Sequence, residues 1–129
     1  MTASSVSANL STLWVFVLLN MLFRDIHELF RAGLLEQMIS GVVNGTAITE
    51  DLMLVSGILL QIPLLMIVFS RLLKPRISRI ANLVTAPLLA LSLITTGVQD
   101  KDDVLFLFVE LVGLLTIFWM AKKWKINKD

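Results

Sequence analysis

The densest set of chemically capable side chains lies between residues 20 and 31: Asn20, Arg24, Asp25, His27, Glu28 and Arg31. At about 100° per residue on a helix, Asn20, Arg24, His27, Glu28 and Arg31 share one face, and Asp25 sits just beside it. Arg24 and Glu28 are spaced i,i+4, and Glu28 and Arg31 i,i+3, so these charges can neutralise one another along the helix. A further acid, Glu110, stands alone among Val, Leu and Phe residues. Glu110 and His27 are the groups able to titrate in such a site. The chemistry on offer is proton or ligand binding, or acid/base work by His27 with Glu28 or Glu110. The plainer reading is a structural clasp of Arg24, Glu28 and Glu110, with His27 a satisfied residue at the membrane interface. A metal is not expected. The set weighed is Asp25, His27, Glu28, Glu36 and Glu110, but Asp25-Ile26-His27-Glu28 is not a metal-ligand spacing, and Arg24 and Arg31 would repel a cation. Met21, Met38, Met53 and Met66 read as lipid- or core-facing filler, not a copper site.

The elements that must position these residues follow from composition. The chain has 129 residues, 57% hydrophobic and only 16% charged. A soluble domain carries about 25% charged residues, so a membrane protein is expected, and neither disorder nor a nucleic-acid-binding arm fits. The net charge of +1 offers no bulk field for nucleic acid. There is no cysteine and a single histidine, which excludes disulfide scaffolds, thiol chemistry and a bis-histidine haem within one chain. Gly-x-Ser-x-Gly, phosphate-loop and His-Glu-x-x-His patterns are absent. No cofactor is expected, and enzymatic activity is left open, with the balance against it.

A membrane helix needs about 20 mostly apolar residues. Four spans meet this, at about 10–30, 51–73, 77–96 and 103–121. Leu52–Phe69 and Ile80–Gln99 contain no ionisable residue, so they lack the repeating polar face of a soluble amphipathic helix. The expectation is an all-α, integral membrane four-helix bundle in one domain, residues 1–129. The first span runs into Arg24, Asp25, His27 and Glu28 instead of a cleavage site, so it is expected to be retained and not to act as a signal peptide. Residues 2–9 are expected to be a frayed polar terminus. Thr49 reads as the N-cap of span two, with Glu50 and Asp51 in its first turn. Gly97 reads as the stop of span three. Between spans one and two, Leu34, Leu35, Met38 and Ile39 have helical spacing beside Glu36, Gln37 and Ser40, which predicts a short amphipathic surface helix. Asn44-Gly45 reads as a turn; with Thr46 it also matches the glycosylation triplet, which is weak by itself.

Basic residues set the expected orientation. Arg71, Lys74, Arg76, Arg79, Lys122, Lys123, Lys125 and Lys128 fall on one side of a four-span chain, and only Arg24, Arg31 and Lys101 on the other. Both termini are therefore expected in the cytoplasm, with Trp119 and Trp124 near the inner interface. The cluster around residues 71–79 could also attract anionic headgroups, although fixing topology is sufficient to explain it. If span one ends near Phe30, Arg24 lies roughly 9 Å below the outer boundary, and Glu110 roughly 10 Å below it. A lone carboxylate near mid-membrane costs about 2.5–3.5 kcal/mol or more. Pairing Glu110 with Arg24 or His27 would offset much of that and make spans one and four neighbours. Pro63 and Pro87 free the carbonyls of Leu59 and Leu83. Gln61, Asn82 and Thr85 are close enough in sequence to satisfy them or to line a cavity at paired kinks. Ser56, Gly57, Ala86, Ala90, Ser92 and Gly113 would permit close helix approach; no strict Gly-x-x-x-Gly pair occurs within a span, so a homo-oligomer is left open.

The run Leu13-Trp14-Val15-Phe16-Val17-Leu18-Leu19-Asn20-Met21, followed by Arg24-Asp25-Ile26-His27-Glu28-Leu29-Phe30, resembles a family of small uncharacterised four-span bacterial membrane proteins. The Thr49-Glu50 start of span two and the stretch from Ser70-Arg71 to Asn82 fit the same pattern. The resemblance implies a four-helix membrane fold in a bacterial inner membrane, distantly similar to DoxX-like proteins, and brings no activity or catalytic residue. The expected function is non-enzymatic binding of a small molecule, lipid or partner at an outward-facing polar site. The alternative is an oligomeric small transporter or channel using Glu110 and His27, although in small four-span exporters the essential acid lies in span one. The expected partners are the lipid bilayer and that ligand, with no nucleic acid.

Overall fold

The computed structural model describes residues 2–127. In chain order the elements are α1 (Ala3–Glu28), α2 (Leu34–Ser40), β1 (Val42–Val43), β2 (Thr46–Ala47), α3 (Glu50–Leu72), α4 (Pro75–Thr96) and α5 (Lys101–Lys123). The fold is all-α, and α1, α3, α4 and α5 are long and apolar enough to cross a membrane. This is a multi-pass membrane-protein architecture. Helix α1 packs on α3 and α5, and α4 packs on the same two. The four form an up-down-up-down square with α1 diagonal to α4, so α1 and α5 are neighbours as the charge pairing required.

Residues 2–9 differ from expectation. The helix begins at Ala3, and Thr2 caps it by accepting a hydrogen bond from the Ser5 amide at 3.2 Å. The early start has a packing reason, because Val6 is buried and lines a cleft with Trp124 at the far end of α5. The other ends follow the local signals. Thr49 accepts from the Leu52 amide at 3.1 Å, Pro75 occupies the first turn of α4, and Asp100 accepts from the Asp103 amide at 3.3 Å. Gly97, with φ at +81°, ends α4; this left-handed region suits glycine, which has no Cβ to crowd the backbone.

Leu10, Trp14 and Val17 of α1 meet Met66 of α3, Leu89 of α4 and Leu114 and Ile117 of α5 in the core. The outer faces of the helices remain apolar and exposed, for example Leu54, Ile58, Leu88, Leu91, Leu105 and Leu115. A bundle in water would expose such a belt at great cost; hydrocarbon is its natural solvent. Helix α5 closes on α1 through Gly113, where an added Cβ would lie 2.9 Å from Val17 Cγ2. Gly57 has open space around it and plays no such part.

The polar residues near the prolines have different surroundings. Asn82 is fully buried, and its Oδ1 accepts from Trp14 Nε1 at 2.7 Å. Its Nδ2 donates to Ser78 O at 2.8 Å and bonds with Ser70 Oγ at 3.2 Å. Gln61 is exposed on α3 and Thr85 half-buried on α4. Both helices run continuously through Pro63 and Pro87. The buried Asn82 amide thus links α1, α3 and α4, where a satisfied polar network in low dielectric is strong.

At this end of the bundle Arg79 donates to the Ala121 and Lys122 carbonyls at 3.0 and 3.1 Å, covering the C-terminus of α5. Trp119 is exposed with Lys123 Nζ 4.2 Å above its ring. Trp124, at the end of α5, is tucked among the helices at 4% exposure. Lys128 lies outside the described residues.

Candidate functional site

At the opposite end, the carbonyls of His27 and Glu28 accept from the Phe30 and Arg31 amides, so the chain leaves α1 through a tight turn. Helix α2 follows, with Gly33 and Gly41 at its ends. Val42–Val43 and Thr46–Ala47 pair as a small antiparallel hairpin around Asn44 and Gly45, both at positive φ. Turns with two left-handed residues match the twist of paired strands, and Asn-Gly supplies them at least strain. Gln37 Oε1 accepts from the Asn44 amide at 2.9 Å, fastening the turn to α2. The amphipathic helix and the turn were legible in sequence; the strand pairing was not.

This segment roofs a cavity of about 430 Å³. Its walls are Met21, Arg24, Asp25 and Glu28 of α1, Leu93 and Thr96 of α4, and Asp103 and Glu110 of α5; Leu34, Met38, Val43 and Asn44 lie above. Arg24 organises it. Its Nε donates to Asp103 Oδ1 at 3.2 Å, Nη1 to Glu110 Oε2 at 3.4 Å and Nη2 to Gly97 O at 2.9 Å. Glu110 is wholly buried and Asp103 nearly so. A planar guanidinium, with donors in a rigid fork, is suited to holding two carboxylates and a carbonyl together.

Glu110 and Arg24 meet as their depths required. The first-span cluster, however, divides. Arg31 Nη1 lies 3.1 Å from Glu28 Oε2, the expected i,i+3 pair, and Glu28 and Asp25 face the cavity with Arg24. His27 does not. Its side chain is 53% exposed, its Nδ1 is 3.6 Å from Asp102 Oδ2, and its ring packs 5.0 Å from that of Phe106. Asn20 turns back to donate to Phe16 O at 3.0 Å. Helix geometry explains the split. Measured from Arg24, Glu28 and Asp25 lie about 40° and 100° to one side, and Asn20 and His27 about 40° and 60° to the other. The cavity opens on the first side only.

Asp103 is the residue that sequence reading missed. As a first-turn acid of α5 it sits at the positive end of the helix dipole, a position that by itself gives no sign of a second partner. The available signal was its spacing of seven from Glu110, which puts both carboxylates on one helical stripe. Asp103 Oδ2 also accepts from the Gln99 amide at 2.9 Å. Glu28, Asp100 and Asp103 bring one carboxylate oxygen each within 4.8 Å of one another, a grouping different from the set weighed for a metal. Asp100, just outside the spans, has its carboxyl raised above the ordinary value, chiefly by a hydrogen bond with Asp102. Of Met21, Met38, Met53 and Met66, the first two line the cavity, Met66 is in the core and Met53 is exposed.

A family model matches residues 4–129, nearly the whole chain. The chain belongs to the DUF6326 family, a family of unknown function. No curated protein and no solved structure matches it. For this DUF6326 chain the cavity itself is the guide to function. The match covers all four spans and the roof, so the site lies wholly within the family's own region.

Proposed function

We propose that this DUF6326 protein is a non-enzymatic, ligand-binding membrane protein. It takes a small amphiphilic molecule into the cavity beneath α2 and the hairpin. The observation that carries this reading is a cavity of about 430 Å³ that reaches the buried Arg24–Glu110 pair, within the range typical of small-molecule sites. A clasp serving only stability would be closed and dry. Its walls combine apolar Met21, Leu34, Met38 and Leu93 with charged groups, as an amphiphile requires. Below Glu110 the bundle is filled by Val17, Leu114, Ile117 and Trp14. The cavity is thus one-sided, which favours binding over passage through the bundle. The exposure of His27 removes the main support for an acid/base enzyme.

The proposal includes an inner membrane of a bacterium with both termini in the cytoplasm, supported by the segregation of basic residues. A distant kinship with DoxX-like proteins is supported by the four-span layout alone. The test is native mass spectrometry of the protein released from nanodiscs, beside Met38→Trp, which fills the cavity from its roof. The expected result is a bound mass in the wild type that the variant loses. No adduct in the wild type, or the same adduct in both, would overturn the reading.

A further inference from the structure

We infer that the ligand is a cation with an apolar body, such as an organic ammonium, held at Glu110 and received at its mouth by Glu28, Asp100 and Asp103. The inference rests on the cavity being a ligand site. Its first support is hydrogen-bond accounting. The two basic side chains that line the cavity are already committed. Arg24 spends Nε, Nη1 and Nη2 on Asp103, Glu110 and Gly97 O, and Arg31 pairs with Glu28. What remains is acceptor capacity. Glu110 Oε1 is fully buried and has no partner, and Glu28 Oε1 has none either. An ionised carboxylate only accepts, so the missing partner is a donor. A buried acceptor left unsatisfied costs about 1–3 kcal/mol, so it marks a place where a ligand can contribute.

Charge is the second support. The cavity wall carries Arg24 and Arg31 against Asp25, Glu28, Asp103 and Glu110. The concern that the two arginines would repel a cation does not hold, because each is neutralised by its own acid. Beyond the wall, nine of the ten acids in the chain fall within residues 24–51 and 100–110, with only Arg24, Arg31 and Lys101 among them. A cleft lined by one sign of charge in low-dielectric walls concentrates the opposite sign. At the mouth, three carboxylates crowd within 4.8 Å, and Asp100 holds a proton more readily than usual. A cation there would relieve that repulsion. The apolar portion of the wall, Met21, Leu34, Met38 and Leu93, offers a hard metal ion such as Ca2+ or Mg2+ no oxygen ligand but accommodates a hydrocarbon body.

The chain has no cysteine, so Val43→Cys can carry a single environment-sensitive fluorophore at the cavity roof. In nanodiscs of zwitterionic lipid, three probes of one shape are titrated: 3-phenylpropylammonium, 3-phenylpropanol and 3-phenylpropanoate. The ammonium is expected to bind at least about tenfold more tightly than the alcohol, as a hydrogen bond to a charged group implies. The carboxylate is expected not to bind, and ammonium affinity should fall as salt is raised. Glu110→Gln should bring the ammonium to the level of the alcohol. Because a buried substitution can disturb folding, Glu28→Gln at the rim is measured too and should weaken ammonium binding severalfold. If alcohol or carboxylate binds as tightly as ammonium and Met38→Trp abolishes all of it, the cation assignment falls and the ligand site survives. If none of the probes shifts the fluorescence, the ligand site falls with it.

Discussion

Arg24 is the residue on which the polar site depends. It is one guanidinium holding two buried carboxylates, so removing it strands both. Breaking a buried ion pair by deleting one partner costs about 3–5 kcal/mol. Arg24→Met is expected to destabilise the fold by that amount, and Glu110→Gln in the same chain should recover a part of it. Equilibrium unfolding in mixed micelles measures both, and the double-mutant difference isolates the coupling. Equal losses in the single and double variants would mean that the pair is not the stabilising contact. The pairing of Glu110 with Arg24 was legible from depth alone, because a carboxylate in hydrocarbon needs a partner at its own level. The displacement of His27 was not, since a stripe about 100° wide spans both sides of Arg24 and only a neighbouring helix decides which side is enclosed.

At the scale of elements, the close approach of α1 and α5 brings the guanidinium within reach. Gly113 lies three residues from Glu110, and Val17 lies seven from Arg24, so the tight contact and the ion pair occupy the same seam. Gly113→Ala would press a Cβ to 2.9 Å from Val17 Cγ2, and Val17 is fully buried and β-branched. The expected cost is about 1–3 kcal/mol, the usual range for overpacking, read from the same unfolding assay. Gly57→Ala, with open space around it, is the matched control and should change stability little. A loss at Gly57 as large as at Gly113 would refute the packing argument. The ends of α3 and α4 were legible from Thr49 and Gly97 because caps are local chemistry. The extension of α1 to Ala3 depended on a buried contact of Val6 with the far end of the chain, and the hairpin on pairing across a turn; neither is local.

For the whole molecule, the arrangement of charge supports the proposed orientation, with both termini in the cytoplasm. The basic end gathers the start of α1, the α3–α4 connection and the end of α5, while the roof and the α4–α5 connection lie at the other. Single cysteines at Ser4 and Lys125 are expected to react with an impermeant maleimide only after permeabilisation, and one at Gln99 in intact cells. The reverse pattern would invert the topology, and labelling of Ser4 and Lys125 on opposite sides would contradict an even number of spans.

What the sequence determined by itself is the solvent of this protein and the number of its spans, because transfer of side chains into hydrocarbon is a sum over residues and is read without a structure. It also determined that Glu110 could not stand alone, since that cost too belongs to a single residue. Only the tertiary structure decided that Asp103 shares the guanidinium, that Asn82 links three helices through Trp14 and Ser70, and that α2 and the hairpin enclose a cavity above the ion pair. Those facts depend on which faces of distant segments meet, and that is settled by packing the four helices together.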